Sequence, residues 1–189
     1  MNYIKITKTD IANGVGVRCV LWVAGCDLRC AGCHNPDSWS FNAGQLFTDD
    51  TLRELDEALT PEYIAGLTIS GGHPLAPPNI DCVNRIITHV RTNHPNKNIW
   101  LYTGYDLNER HFTTMLRGIS PECREHNAIH TAVSRCDVVV DGAYKENLRN
   151  ITLQFRGSSN QRVIDVKRTV ASGKITLITD CGWGFFRQK

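Results

Sequence analysis

The sequence predicts an α/β fold built on a mainly parallel sheet. Three observations support it: apolar runs of strand length recur along the chain, amphipathic helical segments separate them, and each run ends in a glycine-containing loop. Near-continuous apolar strands that alternate with helices are typical of parallel sheets covered on both faces. Ligands of such folds bind at the carboxyl ends of the strands, so the loops there are the first place to look for a site.

The first two elements carry clear end signals. Residues 18–24 form an apolar run that stops at Gly25, as expected of a buried strand. Residues 49–59 repeat leucine at helical spacing, with Thr48 in position to cap the amino end and Pro61 just beyond the other end. The sequence therefore predicts a strand followed by a capped helix.

The alternation continues along the chain. Apolar runs and amphipathic segments predict a strand over 64–70, a helix over 79–92, a strand over 98–103, a helix over 107–116 and a strand over 136–140. Residues 120–135 and those after 163 fit no clear element, although 174–179 resembles a late strand.

Composition excludes several classes of protein. The net charge is only +2, from 21 basic and 19 acidic residues, so no strong field would gather nucleic acid or a membrane surface. The first ten residues mix charged and apolar side chains and resemble no export signal. The longest apolar stretch, residues 19–25, is far shorter than the roughly 18 residues of a membrane span. We expect a cytoplasmic protein that binds neither nucleic acid nor membrane.

Three of the eight cysteines stand together in the loop after the first strand. Cys26, Cys30 and Cys33 form a Cys-x3-Cys-x2-Cys pattern, flanked and interrupted by Gly25 and Gly32. In a reducing compartment such a group binds metal more often than it forms disulfides. Structural zinc sites and most iron–sulfur clusters take four protein ligands. Three thiolates would leave one iron of a 4Fe-4S cluster open to a small molecule.

Two closed sites remain as alternatives. His34 could complete a Cys3His zinc site, although adjacent residues such as Cys33 and His34 rarely point at one ion. A remote cysteine could be a fourth cluster ligand and give a closed electron-transfer centre. By default the remaining cysteines are core or surface thiols; they are Cys19, Cys82, Cys123, Cys136 and Cys181.

The cysteine loop resembles that of the radical S-adenosylmethionine enzymes, and further motifs narrow the resemblance to activating proteins of the anaerobic (class III) ribonucleotide reductases. Those motifs span residues 1 to 162 in order and are Asn13-Gly14-Val15-Gly16, Cys33-His34-Asn35-Pro36, Gly66-Leu67-Thr68-Ile69-Ser70-Gly71-Gly72, Tyr102-Thr103-Gly104-Tyr105, Asp141-Gly142-Ala143-Tyr144 and Arg156-Gly157-Ser158-Ser159-Asn160-Gln161.

The resemblance implies a partial (β/α) barrel over residues 1–162, with 163–189 a C-terminal extension packed on the same domain. It implies a 4Fe-4S cluster that passes an electron to S-adenosylmethionine, whose 5′-deoxyadenosyl radical then takes a hydrogen atom from a glycine of the reductase. The implied partners are the large subunit of anaerobic ribonucleotide reductase and a small electron donor such as flavodoxin or ferredoxin. A homodimer or a complex with the reductase is also expected.

The same resemblance assigns the site. Cys26, Cys30 and Cys33 ligate the cluster, and no catalytic side chain is expected beyond the cluster and the cofactor. The remaining assignments concern S-adenosylmethionine. The backbone of Gly32, Cys33 and His34 lies against its adenine side. Gly71 and Gly72 offer carbonyls to its ammonium group, and Thr103 and Asp141 reach its ribose or the incoming glycine loop. Read alone, the glycine pair is a simple turn, Tyr105 packs, and Asp141 caps a turn.

His73 departs from the family pattern, which has an acidic residue after the two glycines. A carboxylate could pair with the cofactor's ammonium group, whereas a histidine accepts one hydrogen bond only when it is neutral. We therefore expect weaker, pH-sensitive cofactor binding with activity retained. Two rival functions stay open: an activase of a different glycyl-radical enzyme, and a non-catalytic iron–sulfur or zinc module whose cofactor site has decayed.

Overall fold

A computed structural model describes residues 1–113 and 124–179, which fold around one seven-stranded sheet. The strands are β1 Asn2–Asp10, β2 Val17–Val23, β3 Gln45–Leu46, β4 Ile64–Gly71, β5 Asn98–Tyr102, β6 Val138–Asp141 and β7 Arg162–Asp165. The helices are α1 Asp49–Leu59, α2 Pro77–Asn93, α3 Glu109–Thr113, α4 Arg124–Ser134 and α5 Val166–Ser172.

The middle of the sheet is parallel and its edges are antiparallel. The strand order is β3-β1-β2-β4-β5-β6-β7, and the neighbours from β2 through β6 all pair in parallel. These are the four strands predicted from apolar runs, so the α/β class and the parallel core of the sheet are confirmed. β1 and β3 at one edge and β7 at the other pair antiparallel, and the sheet is not closed.

The two faces of the sheet are covered differently. Leu67, Ile99 and Leu101 point into the main core against the helices, all at 0% exposure. Trp100 and Val140 point to the other face, into a smaller apolar cluster. Because side chains alternate along a strand, the continuous apolar runs fill both cores at once.

Two helices follow their sequence signals closely. Thr48 caps α1: its hydroxyl accepts from the Thr51 N–H at 3.4 Å, while the Thr51 hydroxyl accepts from the Thr48 N–H at 3.2 Å. α2 begins at Pro77, two residues before the predicted start, because proline is well suited to the first turn of a helix.

Several elements carried no clear signal. α4 lies in the region 120–135, which fitted no predicted element. β7 and α5, which come after β6, had no clear signal either. β7 runs across the boundary expected between residues 162 and 163. Residues 174–179 lie along β7 but make only an isolated bridge, between Leu177 and Ile164. The helix expected over 107–116 is observed as α3. The last three residues of the expected range, 114–116, lie outside the described residues.

Within residues 1–113 and 124–179, every helix is too short or too polar to cross a membrane.

Candidate iron–sulfur and cofactor site

A cavity of about 610 Å³ opens at the carboxyl ends of the parallel strands. The loops after β2, β4, β5 and β6 all contribute to its wall, as the parallel topology requires. Its volume suits a ligand of cofactor size. The lining includes Cys26, Cys30, Cys33, Gly71, Gly72 and Thr103. The three grouped cysteines therefore face one common space.

The cysteine loop is closed at its base by backbone hydrogen bonds. The Gly25 N–H donates to the Ser38 carbonyl at 2.8 Å, and the Cys26 N–H donates to the Trp39 carbonyl at 3.0 Å. Inside the loop, the Cys33 N–H donates to the Cys30 carbonyl at 3.1 Å, which makes a tight turn between those two thiols. These hydrogen bonds give the loop a defined conformation.

Left-handed backbone at three positions shapes this loop. Gly25 and Gly32 have φ of 93° and 73°, values that glycine adopts without steric cost. A methyl group at Gly25 would collide with the Phe41 ring, and one at Gly32 would collide with the Glu146 carboxylate. Arg29 also has a positive φ, 44°, which is strained for a residue with a side chain.

Cys26, like Cys30 and Cys33, is half-buried. Burial raises the pKa of its thiol, while the N–H groups of Leu28 and Arg29 lower it by hydrogen bonding to the sulfur. A metal ligand must be the thiolate. These N–H donors would stabilise that charge, and N–H···S contacts of this kind tune cluster potentials.

The other described cysteines lie away from the cavity. Cys19 and Cys136 are buried in the main core, and Cys82 packs against it. Burial raises the pKa of Cys19 to about 12 and that of Cys136 further still. Such thiols stay protonated and inert. Two other candidates for a fourth ligand, Cys123 and Cys181, lie outside the described residues.

Gly71 and Gly72 line the cavity at the end of β4 and touch the base of the cysteine loop. A methyl group on Gly72 would lie 2.5 Å from the Gly25 carbonyl oxygen, and one on Gly71 would lie 2.6 Å from the Val23 carbonyl oxygen. The space beside both glycines is therefore restricted by the backbone of Val23 and Gly25. The pair holds the end of β4 and the cysteine loop in direct contact.

His73 lies behind the cavity wall at 1% exposure. Its Nε2 is 2.9 Å from the Thr103 hydroxyl, its Nδ1 is 3.4 Å from the Asp27 carboxylate, and its ring meets the Tyr105 ring edge-on at 4.2 Å. Burial lowers the pKa of the imidazole below 6.5, partly offset by Asp27. A neutral ring with its proton on Nδ1 satisfies both contacts.

Asn79, at the start of α2, ties two loops together. Its side-chain amide donates to the Ala24 carbonyl at 2.9 Å and to the His73 carbonyl at 3.0 Å. The His73 N–H in turn donates to the Gly25 carbonyl at 2.7 Å. The sequence offered no local signal for this role, because Asn79 lies in a helix six residues from the nearest of its partners.

Thr103 and Asp141 have different surroundings. Thr103 lines the cavity, and its hydroxyl accepts from the Tyr105 N–H at 3.1 Å. The Asp141 side chain, at 0% exposure, forms an ion pair with Arg162 and accepts from the Leu107 N–H at 3.0 Å. Asp141 thus holds the chain beyond β5 through partners distant in sequence.

The segment 156–161 forms another wall of the cavity. The Gln161 side chain accepts from the Gly157 N–H at 2.9 Å and donates to the Gly142 carbonyl at 3.1 Å. The Asn160 amide donates to the Ala143 carbonyl at 2.8 Å. These bonds fix the segment to the loop after β6.

Trp39, which lines the cavity, carries a buried polar group without a partner among the described residues. Its indole N–H is buried, and no acceptor for it occurs in the described parts of the chain. A buried donor without a partner is rare and costs free energy, so it points to an acceptor supplied from outside the protein. Three thiols and this donor match an iron–sulfur cluster or the carboxylate of a bound cofactor.

A single-ion site is not seen among residues 1–113 and 124–179. No three side chains of His, Cys, Asp or Glu there converge on a point that one metal ion could occupy. His34 lines the cavity next to Cys33, and its Nε2 lies 3.4 Å from the Asn35 amide nitrogen.

Comparison with known proteins places this site in a class. Residues 12–164 match the family model described as a 4Fe-4S single cluster domain. That stretch includes the cysteine loop, the four parallel strands and every lining residue of the cavity except Asp10. The chain therefore belongs to the class of 4Fe-4S single cluster domain proteins.

Individual relatives define the class more narrowly. The chain is 39% identical over 163 residues to the anaerobic ribonucleoside-triphosphate reductase-activating protein of Enterobacteria phage T4, covering 86% of this chain and 93% of that protein. It is 37% identical over 163 residues to the protein of that name from Haemophilus influenzae, covering 85% and 96%. For the Escherichia coli K12 protein the identity is 35% over 167 residues, covering 86% and 97%. The chain belongs to the family of anaerobic ribonucleoside-triphosphate reductase-activating proteins.

Proposed function

We propose that this protein activates an anaerobic ribonucleotide reductase by radical S-adenosylmethionine chemistry. The observation that carries the proposal is the placement of Cys26, Cys30 and Cys33 in one cofactor-sized cavity. When bound, the cluster supplies one electron that breaks S-adenosylmethionine into methionine and a 5′-deoxyadenosyl radical, which takes a hydrogen atom from a glycine of the reductase.

In this proposal the three thiolates are the cluster's protein ligands, which leaves one iron open for the cofactor. The N–H groups of Leu28 and Arg29 stabilise the thiolate of Cys26. The Trp39 N–H donates to a cluster sulfide or to the cofactor's carboxylate. Each of these groups acts by binding or orienting, which is what a protein contributes when the cofactor performs the chemistry.

The rim of the sheet would hold the cofactor. The carbonyls of Gly71 and Gly72 would receive its ammonium group, and Thr103 would reach its ribose. The backbone of Gly32, Cys33 and His34 would support its adenine. His73 and Asp141 act indirectly, because His73 lies behind Thr103 and Asp141 is paired with Arg162. We therefore propose a positioning role for both residues, and their direct contact with the cofactor stays a prediction.

The finer architecture follows from the same proposal. The sheet acts as a partial barrel of the radical S-adenosylmethionine type, whose open side receives the reductase's glycine-bearing loop. The activase unit extends through β7, which crosses the boundary expected at residue 162, and the residues after β7 form an extension of the unit.

Anaerobic reconstitution with iron and sulfide tests this function. We expect about four irons per chain and an electron paramagnetic resonance signal of the reduced cluster that changes when S-adenosylmethionine is added. Cys26→Ala, Cys30→Ala and Cys33→Ala should each lose the cluster. Cys82→Ala is the matched control, because its thiol lies outside the cavity, and it should keep the cluster.

The rival functions give different results in the same experiment. One zinc per chain, or a cluster signal indifferent to S-adenosylmethionine, would contradict the proposal. Formation of a glycyl radical on a different glycyl-radical enzyme, but not on the anaerobic reductase, would replace the proposed partner and keep the chemistry.

A further inference from the structure

Thr103 and His73 form a buried hydrogen-bonded pair in the wall of the cavity. Thr103 follows β5 and lines the cavity at 5% exposure, and His73 lies directly behind it. The Thr103 hydroxyl is 2.9 Å from the Nε2 of His73, and the Asp27 carboxylate is 3.4 Å from the Nδ1 of the same ring. Each ring nitrogen therefore has one partner, and these two partners decide which nitrogen carries the proton.

The carboxylate places the ring proton on Nδ1. An ionised Asp27 accepts hydrogen bonds and cannot donate them, so the Nδ1 of His73 must be the donor of that pair. Burial lowers the pKa of the ring below 6.5, so the ring holds no second proton at neutral pH. Nε2 is then an acceptor, and the Thr103 hydroxyl donates to it.

The Thr103 hydroxyl keeps one hydrogen-bonding position for a ligand. A hydroxyl has one proton and two lone pairs. The proton goes to His73, and one lone pair accepts from the Tyr105 N–H at 3.1 Å. Among residues 1–113 and 124–179, the hydroxyl has these two partners. Its second lone pair is therefore what Thr103 can offer to a molecule in the cavity.

The surroundings hold both residues in this arrangement. The His73 N–H donates to the Gly25 carbonyl at 2.7 Å, and the Thr103 N–H donates to the Val140 carbonyl at 2.8 Å. The imidazole also meets the Tyr105 ring edge-on at 4.2 Å. Because the backbone of both residues and the ring are held, the hydroxyl proton stays directed at His73 and away from the cavity.

We propose that His73 is a positioning residue that keeps the Thr103 hydroxyl as a hydrogen-bond acceptor, so that Thr103 binds only a donor group of the ligand. This inference rests on the function proposed above, under which the donor is a ribose hydroxyl of S-adenosylmethionine. His73 contributes to the cofactor site through Thr103, although the family pattern has an acidic residue at its position.

Nitrogen-15 NMR of the imidazole rings tests the first step without a ligand, in the reconstituted full chain with an oxidised cluster. We expect His73 to be in the Nδ1–H form at pH 7.5, its signals being identified by their loss in His73→Gln. Thr103→Val removes the hydroxyl that donates to Nε2, so the Nε2 resonance should shift. A proton on Nε2, or an unshifted resonance in Thr103→Val, would overturn the proposal.

Calorimetric titration with S-adenosylhomocysteine tests the second step, since this analogue keeps the ribose and lacks the sulfonium group. We expect Thr103→Val to weaken binding about tenfold, a change of about 1.4 kcal/mol, because one hydrogen bond is lost. His73→Phe should weaken it severalfold. The double variant should bind like Thr103→Val alone, because His73 acts through that hydroxyl.

Two further variants separate positioning from packing. His73→Gln offers an amide oxygen to the Thr103 proton and should bind nearly as well as the wild type. His130→Phe changes a buried histidine of α4 outside the cavity and should leave binding unchanged. Independent, additive losses from Thr103→Val and His73→Phe would contradict the proposal, and so would wild-type affinity in His73→Phe.

An analogue of S-adenosylhomocysteine without both ribose hydroxyls provides the ligand-side control. The wild type and Thr103→Val should bind it equally, because it has no ribose donor for Thr103. A persistent tenfold difference would overturn the assignment of a ribose donor. If the wild type does not bind S-adenosylhomocysteine at all, the proposed function is contradicted, and the NMR result still decides whether His73 fixes the Thr103 hydroxyl.

Discussion

Arg18 shows how much a single buried residue can organise in this fold. It lies in β2 at 0% exposure and donates to the Thr68 hydroxyl at 2.6 Å, the Leu67 carbonyl at 2.7 Å and the Asn98 side-chain oxygen at 2.6 Å. Its guanidinium also lies over the Trp100 ring at 5.3 Å. Burial lowers its pKa to about 10, which still leaves it charged at neutral pH. One cation thus connects three neighbouring strands.

Replacing Arg18 should destabilise the protein strongly. Arg18→Met keeps most of the side chain's volume but leaves buried acceptors on β4 and β5 without donors, at a cost of about 3 kcal/mol. Chemical denaturation of the full chain measures this. Lys8→Met, at an exposed position on β1, is the control and should change stability by less than about 0.5 kcal/mol. Equal stability of the two variants would contradict the role of Arg18.

His73 should make stability depend on pH. Its folded-state pKa lies below the ordinary value of 6.5 because the ring is buried. The stabilisation is therefore complete above pH 6.5 and is lost as the pH falls towards the folded-state pKa, because the unfolded chain then binds the extra proton.

Thermal unfolding between pH 7.5 and pH 5 measures this effect. The wild type should lose stability more steeply than His73→Gln, which cannot be protonated. Parallel curves for the two proteins would exclude His73 as the source. The expected pH sensitivity of cofactor binding remains a prediction, and its pH window now lies below 6.5.

At the scale of elements, the end of β4 and the cysteine loop make a close backbone contact. Gly72→Ala would place a methyl group 2.5 Å from the Gly25 carbonyl oxygen and would push the cysteine loop away from β4. Overpacking of this kind costs about 2 kcal/mol. We expect a lower melting temperature and a lower iron content after reconstitution.

Gly173→Ala is the matched control for that prediction. Gly173 has a φ of 69° and no neighbouring atom that an added methyl group would meet, so the change strains the backbone far from the cavity. It should lower stability while leaving the iron content at the wild-type level. If Gly72→Ala binds iron as well as Gly173→Ala does, the close contact is not needed for the cluster.

The elements that could be predicted are those with local signals. The cap at Thr48, the apolar runs of the parallel strands and the cysteine spacing all lie within a few consecutive residues. β1 was missed because it is mostly half-buried or exposed and interleaves polar with apolar residues. β7, at the sheet edge, was missed because it has only four residues. Asn79 bonds to residues distant in sequence, and the buried N–H of Trp39 has no acceptor among the described residues. No local sequence pattern indicates either role.

At the scale of the whole molecule, the Asp141–Arg162 ion pair joins β6, β7 and the chain after β5. Arg162 donates to Asp141 through two nitrogens and also donates to the Leu107 carbonyl at 2.6 Å. Arg162→Met would leave the Asp141 carboxylate, at 0% exposure, without its counter-charge, which costs about 3 kcal/mol.

The double variant Arg162→Met with Asp141→Asn distinguishes a loss of pairing from general damage. It removes the stranded charge, so it should recover part of the stability lost in Arg162→Met, as measured by denaturation. Additive losses from the two changes would show that the residues act independently.

The exposure of Cys26 has a consequence for the protein in air. Cys26 is half-buried and lines both the main cavity and a second space beside residues 36–42. Dioxygen is small and neutral, so it can enter both spaces and oxidise a thiolate there. On the proposed function this oxidation would remove a cluster ligand, so we expect the cluster to be lost when the protein is handled in air.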